Sequence, residues 1–270
     1  MTKTISILGC GWLGFPLAQL LIKHDYQVKG STTTPHKVDL LKQNGIGPYL
    51  LHFNPHHTGD GAEDFFAAQV LILTIPFRRN LTDPHFYIRQ MEAVAEKVRT
   101  SSIEFVVFTG STSVYLDSKG EVFERDVLNP HDERSKVLLD IERMLLRSRD
   151  FEATVVRFGG LYGEDRPLWK SLADPSDLKE GNKTLNVIHR DDAVQILLEI
   201  IRQDIRGEIF NACSDQHPTR KELYTRQALQ RGLKPPYAAL EEKSGYKIVS
   251  NTKIKERLGY QFKYPDPMQG

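Results

Sequence analysis

The sequence of 270 residues predicts an α/β fold, in which a doubly wound parallel sheet is followed by a smaller C-terminal α+β lobe. Three observations support this prediction. Short apolar runs alternate with amphipathic stretches as far as residue 160, a glycine-rich loop follows the first apolar run, and the alternation becomes irregular afterwards. Runs that are apolar throughout are typical of parallel strands that helices cover on both faces.

The first part of the chain contains the elements of the doubly wound sheet in order. The predicted strands are residues 4–8, 27–31, 49–53, 70–75, 105–109 and 153–157. The predicted helices are residues 13–24, 35–44, 84–99 and 131–147. Pro76 ends the fourth strand, because proline cannot donate a hydrogen bond to a strand ladder. We therefore expect residues 1–160 to form one sheet domain.

The second part of the chain is less regular. A glycine-rich segment at residues 159–163 precedes a predicted helix at 191–203, a strand at 208–213 and a helix at 219–231. We expect residues 161–270 to form a smaller lobe that binds the substrate and returns in part to the first sheet. The proline-rich end of the chain, at residues 264–267, is not expected to be helical.

Composition limits the possible partners. The chain has 36 basic and 35 acidic residues, and a dedicated nucleic-acid binder normally has a basic excess, so no nucleic-acid partner is expected. No apolar run approaches the roughly 20 residues of a membrane helix, so no membrane partner is expected. Cys10 and Cys213 form neither a disulfide framework nor metal-ligand spacing. We expect a cytoplasmic monomer or homodimer that binds a small-molecule substrate and no metal.

The glycine-rich loop at residues 9–14, GCGWLG, matches the pattern G-x-G-x-x-G between a strand and a helix. Gly9 permits a tight turn, Gly11 lets a diphosphate approach the backbone, and Gly14 lets the helix pack on the strand. The N-terminus of the helix offers N–H groups and a partial positive charge. The loop therefore predicts a Rossmann domain that binds a nicotinamide dinucleotide. The residues predicted to contact it here are Gly9, Gly11, Trp12, Leu13 and Gly14.

The end of the second strand favours NADP over NAD, although NAD stays possible. An NAD site usually has an acidic residue about 20 residues after the glycines, to bind the ribose 2′-hydroxyl. Here the segment 30–34 reads GSTTT and contains no acid. The hydroxyls of Ser31, Thr32 and Thr33, with Lys37 nearby, suit a 2′-phosphate. The alternative is that these residues only cap the next helix.

Two residues after the fourth strand are further candidates for cofactor binding. Pro76 and Arg78 follow this strand at the carboxyl edge of the sheet, where ligands bind in doubly wound folds. Arg78 is predicted to contact a phosphate, and the alternative is a solvated turn.

Several segments together resemble one protein family. In chain order they are the glycine loop, residues 111–115, Lys136, and residues 157–163, 186–193 and 210–212. The chain resembles an atypical, extended short-chain dehydrogenase/reductase of the NAD-dependent epimerase/dehydratase-like branch. Residues 75–79 and 258–267 are similar to a small group of sugar-nucleotide-epimerase-like proteins. The glycine loop alone would equally suit ketopantoate-reductase-like or 6-phosphogluconate-dehydrogenase-like enzymes.

The resemblance implies catalytic roles for three residues. Ser111 is expected to contact the reacting oxygen, and Lys136 to bind the nicotinamide ribose. The family's acid/base tyrosine lies four residues before this lysine, where the chain has Asp132. Tyr162 is the predicted substitute donor. Leu8 stands where the family has its first glycine.

Two functions follow from these patterns. The first is an NAD(P)-dependent oxidoreductase or epimerase-like enzyme that acts on a sugar nucleotide or a similar small polar substrate. The alternative is an NADP(H)-binding sensor or regulatory protein with little or no catalysis, because Asp132 replaces the tyrosine.

Overall fold

The computed structural model describes residues 2–58, 60–77, 83–117, 120–126, 128–168, 178, 180–236 and 245–269. The described strands are β1 (Thr4–Leu8), β2 (Gln27–Thr32), β3 (Gly47–Leu50), β4 (His52–Phe53), β5 (His57–Thr58), β6 (Val70–Leu73), β7 (Phe105–Ser111), β8 (Gly120–Val122), β9 (Glu152–Phe158), β10 (Gly160–Tyr162), β11 (Val187–His189), β12 (Ile209–Ala212) and β13 (Lys247–Val249). The described helices are α1 (Gly14–Lys23), α2 (Lys37–Gln43), α3 (Ala62–Phe66), α4 (His85–Arg99), α5 (Glu133–Leu146), α6 (Arg190–Arg202), α7 (Arg220–Gln230) and α8 (Thr252–Leu258).

Seven strands form the central sheet in the order β12-β9-β7-β6-β1-β2-β3. The pairs β1–β2, β2–β3, β1–β6 and β6–β7 are parallel. The chain runs outward from β1 in both directions, so the strand order reverses beside β1 and creates a switch point at the carboxyl edge. Helix α1 buries Leu17, Ala18 and Leu21 because apolar residues recur at helical spacing along one side. The predicted α/β fold with a doubly wound parallel sheet is confirmed.

The predicted strand at residues 49–53 is wrong in extent. β3 ends at Leu50, and β4 pairs antiparallel with β5 instead of continuing in the central sheet. β3 lies at the edge of the sheet and contains Pro48, which edge strands tolerate. The apolar pattern continues through Leu51, which is buried, so the pattern alone does not show where the chain leaves the sheet.

The chain divides into two compact units, each made of three segments. Unit 1 consists of Met1–Val114, Pro130–Val156 and Val194–Ile209, and unit 2 of Tyr115–Asn129, Arg157–Ala193 and Phe210–Gly270. Unit 1 contains the glycine loop. Unit 2 contains the small sheets β10–β11 and β13–β8 and a core that includes Leu178, Leu223 and Tyr224. The assignment of residues 161–270 to substrate binding stays a prediction.

Two further observations concern the described residues. Among these residues, no helix is long and apolar enough to cross a membrane. Within the same ranges, no group of three or more His, Cys, Asp or Glu side chains is arranged to hold a metal ion.

Candidate cofactor and active site

The glycine loop turns sharply between β1 and α1. Gly9 has a φ of +110°, in the left-handed region that glycine tolerates best. The N–H of Gly11 donates to the carbonyl oxygen of Gly9 at 2.7 Å and closes the turn. A Cβ atom on Gly9 would lie 3.1 Å from Thr74 Oγ1 and 3.2 Å from the backbone nitrogen of Ile75. Both the dihedral angle and the lack of space therefore require glycine at this position.

Gly11 and Gly14 meet different surroundings. A Cβ atom on Gly14 would overlap the carbonyl oxygen of Gly9 and lie 2.9 Å from Thr74 Oγ1 and 3.1 Å from Ile7 Cγ2. Gly14 therefore allows the helix to pack closely on the strands, as predicted. A Cβ atom on Gly11 would meet nothing within 4 Å. Gly11 thus presents bare backbone to open space, where a ligand can approach it.

The N-terminus of α1 is suited to an anion. Its N-cap residue, Leu13, makes no side-chain capping hydrogen bond, and the first turn contains no acidic residue. The N–H of Phe15 donates to the carbonyl oxygen of Gly11 at 3.0 Å, and Pro16 has no N–H. The helix dipole places a partial positive charge at this end of the helix. Trp12, beside this turn, is partly exposed. Bare backbone and a helix N-terminus without a side-chain cap form the usual arrangement for binding a phosphate group.

The hydroxyls at the end of β2 contact the backbone. Ser31 is 3% exposed, and its Oγ accepts the N–H of Gly9 at 2.9 Å. The carbonyl oxygen of Ser31 accepts the N–H of Cys10 at 2.7 Å. Thr32 Oγ1 accepts the N–H of Thr34 at 3.1 Å. Ser31 therefore braces the glycine loop, a role that sequence reasoning missed, and its burial makes it a poor direct ligand for a phosphate.

Thr33 and Lys37 are placed differently from Ser31 and Thr32. Both side chains are exposed after the end of β2, which lies at the same sheet edge as the glycine loop because β1 and β2 are parallel. The N-cap of α2, His36, makes no side-chain capping hydrogen bond. The alternative that these hydroxyls cap the helix is therefore not what the structure shows.

The segment after β6 lies beside the loop. Thr74 Oγ1 donates to the carbonyl oxygen of Gly9 at 2.7 Å, and Pro76 is exposed at this edge. Arg78, a predicted cofactor contact, lies outside the described residues.

Ser111 and Lys136 both belong to unit 1. Ser111 ends β7, is partly exposed, and accepts the N–H of Ser113 on its Oγ at 3.2 Å. Lys136 is exposed on α5, with its Nζ 3.3 Å from Glu133 Oε2. The hydroxyl of Ser135, next to Lys136, donates to the carbonyl oxygen of Ser113 at 3.0 Å. This bond joins the first turn of α5 to the turn at residues 112–114 that follows β7.

Asp132 is the N-cap of α5, and its carboxylate accepts the N–H of Ser135 at 2.9 Å. Burial acts to raise the pKa of this carboxyl, but the hydrogen bonds from Ser135 and the nearby charge of Arg134 outweigh it, so the pKa is lowered. Asp132 is therefore ionised at neutral pH and has no proton to donate. A helix cap occupies the position where the resemblance places a tyrosine.

Tyr162 lies in unit 2 and is 4% exposed. Its ring meets His189 edge-on, with the centroids 5.1 Å apart, and His189 stacks on Tyr264 at 3.7 Å. Burial raises the pKa of Tyr162 to about 12. This environment does not favour proton transfer at neutral pH, and the catalytic role of Tyr162 stays a prediction.

A second buried tyrosine in unit 2 is held in place by hydrogen bonds to other side chains of that unit. The Tyr115 hydroxyl donates to Asn211 Oδ1 at 2.8 Å and accepts from Arg157 Nη1 at 2.7 Å. Asn211 also donates its backbone N–H to Glu124 Oε1 at 2.8 Å. Tyr115, Arg157 and Asn211 lie in the segments that carry the family resemblance, but nothing in their spacing shows that they contact one another.

Comparisons with known proteins agree with this fold. No protein-family model matches the chain. The chain is 32% identical over 269 residues to protein YeeZ of Escherichia coli strain K12, with 98% of each chain covered. A solved structure described as a candidate NAD-dependent epimerase/dehydratase from Methylobacillus flagellatus is 23% identical, with a TM-score of 0.81 over 100% of this chain and 96% of that chain. UDP-glucuronic acid 4-epimerase from Bacillus cereus in complex with NAD is 16% identical, with a TM-score of 0.82 over 99% of this chain and 95% of that chain.

The fold is therefore that of the short-chain dehydrogenase/reductases of the NAD-dependent epimerase/dehydratase-like branch, as the sequence motifs predict. The chain belongs to the same family as protein YeeZ of Escherichia coli.

Proposed function

We propose that the protein binds a nicotinamide dinucleotide at residues 9–14 and acts as an oxidoreductase or epimerase-like enzyme on a sugar nucleotide or a similar small polar substrate. The observation that supports this most strongly is the open face of Gly11, beside a helix N-terminus without a side-chain cap. A side chain there would fill the space that a diphosphate needs. The similarity in fold to an NAD-bound UDP-glucuronic acid 4-epimerase supports the same class of ligand.

The residues that would hold the dinucleotide are all in unit 1. Gly9, Gly11, Trp12, Leu13 and Gly14 would surround the diphosphate, with Pro76 along the same sheet edge and Lys136 at the nicotinamide ribose. The ion pair of Lys136 with Glu133 is exposed, and such pairs contribute little, so the lysine can be recruited by a ligand. A bound nicotinamide supplies reversible hydride transfer.

NADP is the preferred form in this proposal. The end of β2 carries no carboxylate to bind a 2′-hydroxyl or repel a 2′-phosphate. Thr33 supplies an exposed hydroxyl and Lys37 an exposed ammonium group after the same strand. Ser31 takes part indirectly, since its hydroxyl fixes the N–H of Gly9.

Ser111 is proposed to polarise the reacting oxygen of the substrate. Its Oγ accepts a hydrogen bond from Ser113, so its own proton remains available to a carbonyl or alkoxide oxygen. A donor placed where negative charge develops stabilises the transition state more than the ground state.

We expect Ser111→Ala to lower the kcat of NADPH oxidation by about 100-fold, a loss typical of one removed donor. The measurement is NADPH consumption with a panel of carbonyl compounds that includes sugar nucleotides. The Kd for NADPH should stay unchanged, because Ser111 is not part of the glycine loop. Ser113→Ala is the matched control, since Ser113 is exposed and uses only backbone groups in these contacts. Equal turnover by wild type and Ser111→Ala would show that Ser111 takes no part in the reaction.

The second candidate function is a dinucleotide-binding sensor with little or no turnover. It is favoured by Asp132, an ionised helix cap where the resemblance expects an acid/base tyrosine, and by the burial of Tyr162. Tight NADPH binding without turnover of any compound in the panel would support the sensor. Turnover that depends on Ser111 would support the enzyme.

A further inference from the structure

Residues 74–77, which follow β6, form hydrogen bonds with three parts of unit 1. Thr74 Oγ1 donates to the carbonyl oxygen of Gly9 at 2.7 Å. The Tyr87 hydroxyl, on α4, donates to the carbonyl oxygen of Ile75 at 2.8 Å. Arg134 Nη2, on α5, donates to the carbonyl oxygen of Phe77 at 2.6 Å. The glycine loop, α4 and α5 thus each hold a different residue of this segment.

Phe77 strengthens the attachment to both helices. Its ring stacks on Tyr87 with the centroids 4.8 Å apart and the planes 16° from parallel. The guanidinium carbon of Arg134 lies 4.3 Å from the centroid of the Phe77 ring, within the range of a cation–π interaction. The Arg134 side chain therefore contacts both the backbone carbonyl and the ring of Phe77. Tyr87 is 2% exposed, so the stack has a rigid support in the core.

The position of this segment affects the glycine loop directly. A Cβ atom on Gly9 would be only 3.1–3.2 Å from Thr74 and Ile75, so the segment forms one wall of the turn. Arg134 also belongs to the first turn of α5, which is capped by Asp132 and carries Lys136. Arg134 is thus the side chain that connects the wall of the loop to the helix of the proposed ribose ligand.

We propose that Arg134 is a positioning residue of the dinucleotide site. Through Phe77, it fixes residues 74–77 against the glycine loop and sets the first turn of α5 relative to them. This inference rests on the proposed function, because it assigns Arg134 a part in dinucleotide binding. Arg134 acts through the protein and does not contact the dinucleotide.

The test measures the Kd for NADPH by calorimetry on the full chain. Arg134→Met keeps the length of the side chain but removes the hydrogen bond and the charge, and we expect about tenfold weaker binding. Arg134→Lys keeps a cation near the ring and one donor, so it should recover part of the affinity. Arg143→Met is the matched control, since Arg143 lies on α5, is exposed, and pairs with Asp140 at 3.6 Å.

Phe77→Leu distinguishes a positioning role from a direct contact. If Arg134 acts through Phe77, Phe77→Leu alone should also weaken binding, and the double variant should be little worse than either single variant. Weaker binding by Arg134→Met with unchanged binding by Phe77→Leu would mean that Arg134 contacts the nucleotide itself, and would overturn the proposal. A lower unfolding midpoint with an unchanged Kd would show a purely structural residue and would also overturn it.

Hydrogen exchange without nucleotide separates this inference from the proposed function. We expect the peptide that covers residues 74–77 to exchange faster in Arg134→Met than in wild type or Arg143→Met. If wild type binds neither NADPH nor NADH, the proposed function fails and the positioning role fails with it. If wild type binds NADPH and Arg134→Met binds it equally well, only the positioning role is overturned.

Discussion

Gly11→Val is expected to abolish dinucleotide binding while the protein stays folded. The backbone of Gly11 is outside the left-handed region, and a Cβ atom there meets nothing within 4 Å, so the protein tolerates a side chain. The added methyl groups would occupy the space through which a diphosphate reaches the bare backbone. We expect the Kd for NADPH to rise by at least about 100-fold, which corresponds to a loss of roughly 2.7 kcal/mol of binding free energy.

The measurement pairs NADPH titration with circular dichroism and thermal unfolding. Gly120→Val is the matched control, because a Cβ atom on Gly120 also meets nothing within 4 Å, and Gly120 lies in unit 2. Gly14→Val, unlike Gly11→Val, should lower the unfolding temperature, since a Cβ atom on Gly14 would overlap the carbonyl oxygen of Gly9. An unchanged Kd in folded Gly11→Val would contradict the location of the site.

Asp192→Asn is expected to destabilise unit 2 by about 3 kcal/mol. Asp192 is 0% exposed, and its carboxylate accepts three hydrogen bonds from the C-terminal part of the chain. The donors are the Tyr260 hydroxyl at 2.7 Å, the Lys263 N–H at 2.7 Å and the Tyr264 N–H at 3.0 Å. Hydrogen bonds to a charged acceptor are stronger than those between neutral groups. The asparagine side chain has no charge, and its NH2 group would face at least one of these donors, which would then lose its acceptor.

Asp191→Asn is the matched control for Asp192→Asn. Asp191 is also in the first turn of α6, so both variants lose the same favourable interaction with the helix dipole. The Asp191 side chain is 43% exposed, and its contacts with Lys263 and Tyr264 are 3.4 and 3.5 Å long, so we expect a loss below about 1 kcal/mol. Urea unfolding and hydrogen exchange at residues 260–264 measure both variants. Equal stability of the two variants would show that Asp192 does not anchor the C-terminal segment.

Much of unit 1 follows from local patterns in the sequence. Residues 70–73 and 105–108 are continuous apolar runs, and they form the buried parallel strands β6 and β7. The predicted helices 13–24, 84–99 and 131–147 correspond to α1, α4 and α5, because apolar spacing along a helix is also a local signal. The glycine loop is predictable for the same reason, since strand, turn and helix follow one another within 20 residues.

The contacts that shape the candidate site could not be predicted, because they join distant parts of the chain. Arg134 and Phe77 are 57 residues apart, and Ser31 and Gly9 are 22 residues apart. The residues at the end of β2 suggest that all their hydroxyls bind a phosphate. In the structure, the hydroxyl oxygens of Ser31 and Thr32 instead accept hydrogen bonds from backbone N–H groups. The carboxylate of Asp192, in the first turn of α6, binds a segment about 70 residues further along the chain, which no local pattern indicates.

Calorimetric titration of the wild-type protein with NADPH and with NADH measures the proposed cofactor site without any substrate. We expect one saturable site per chain for NADPH and weaker binding of NADH, since Thr33 and Lys37 are exposed where no acid is present. Tighter binding of NADH would contradict the preference for NADP. No saturable heat from either nucleotide up to about 1 mM would contradict the cofactor site itself, and residues 9–14 would then be only a turn.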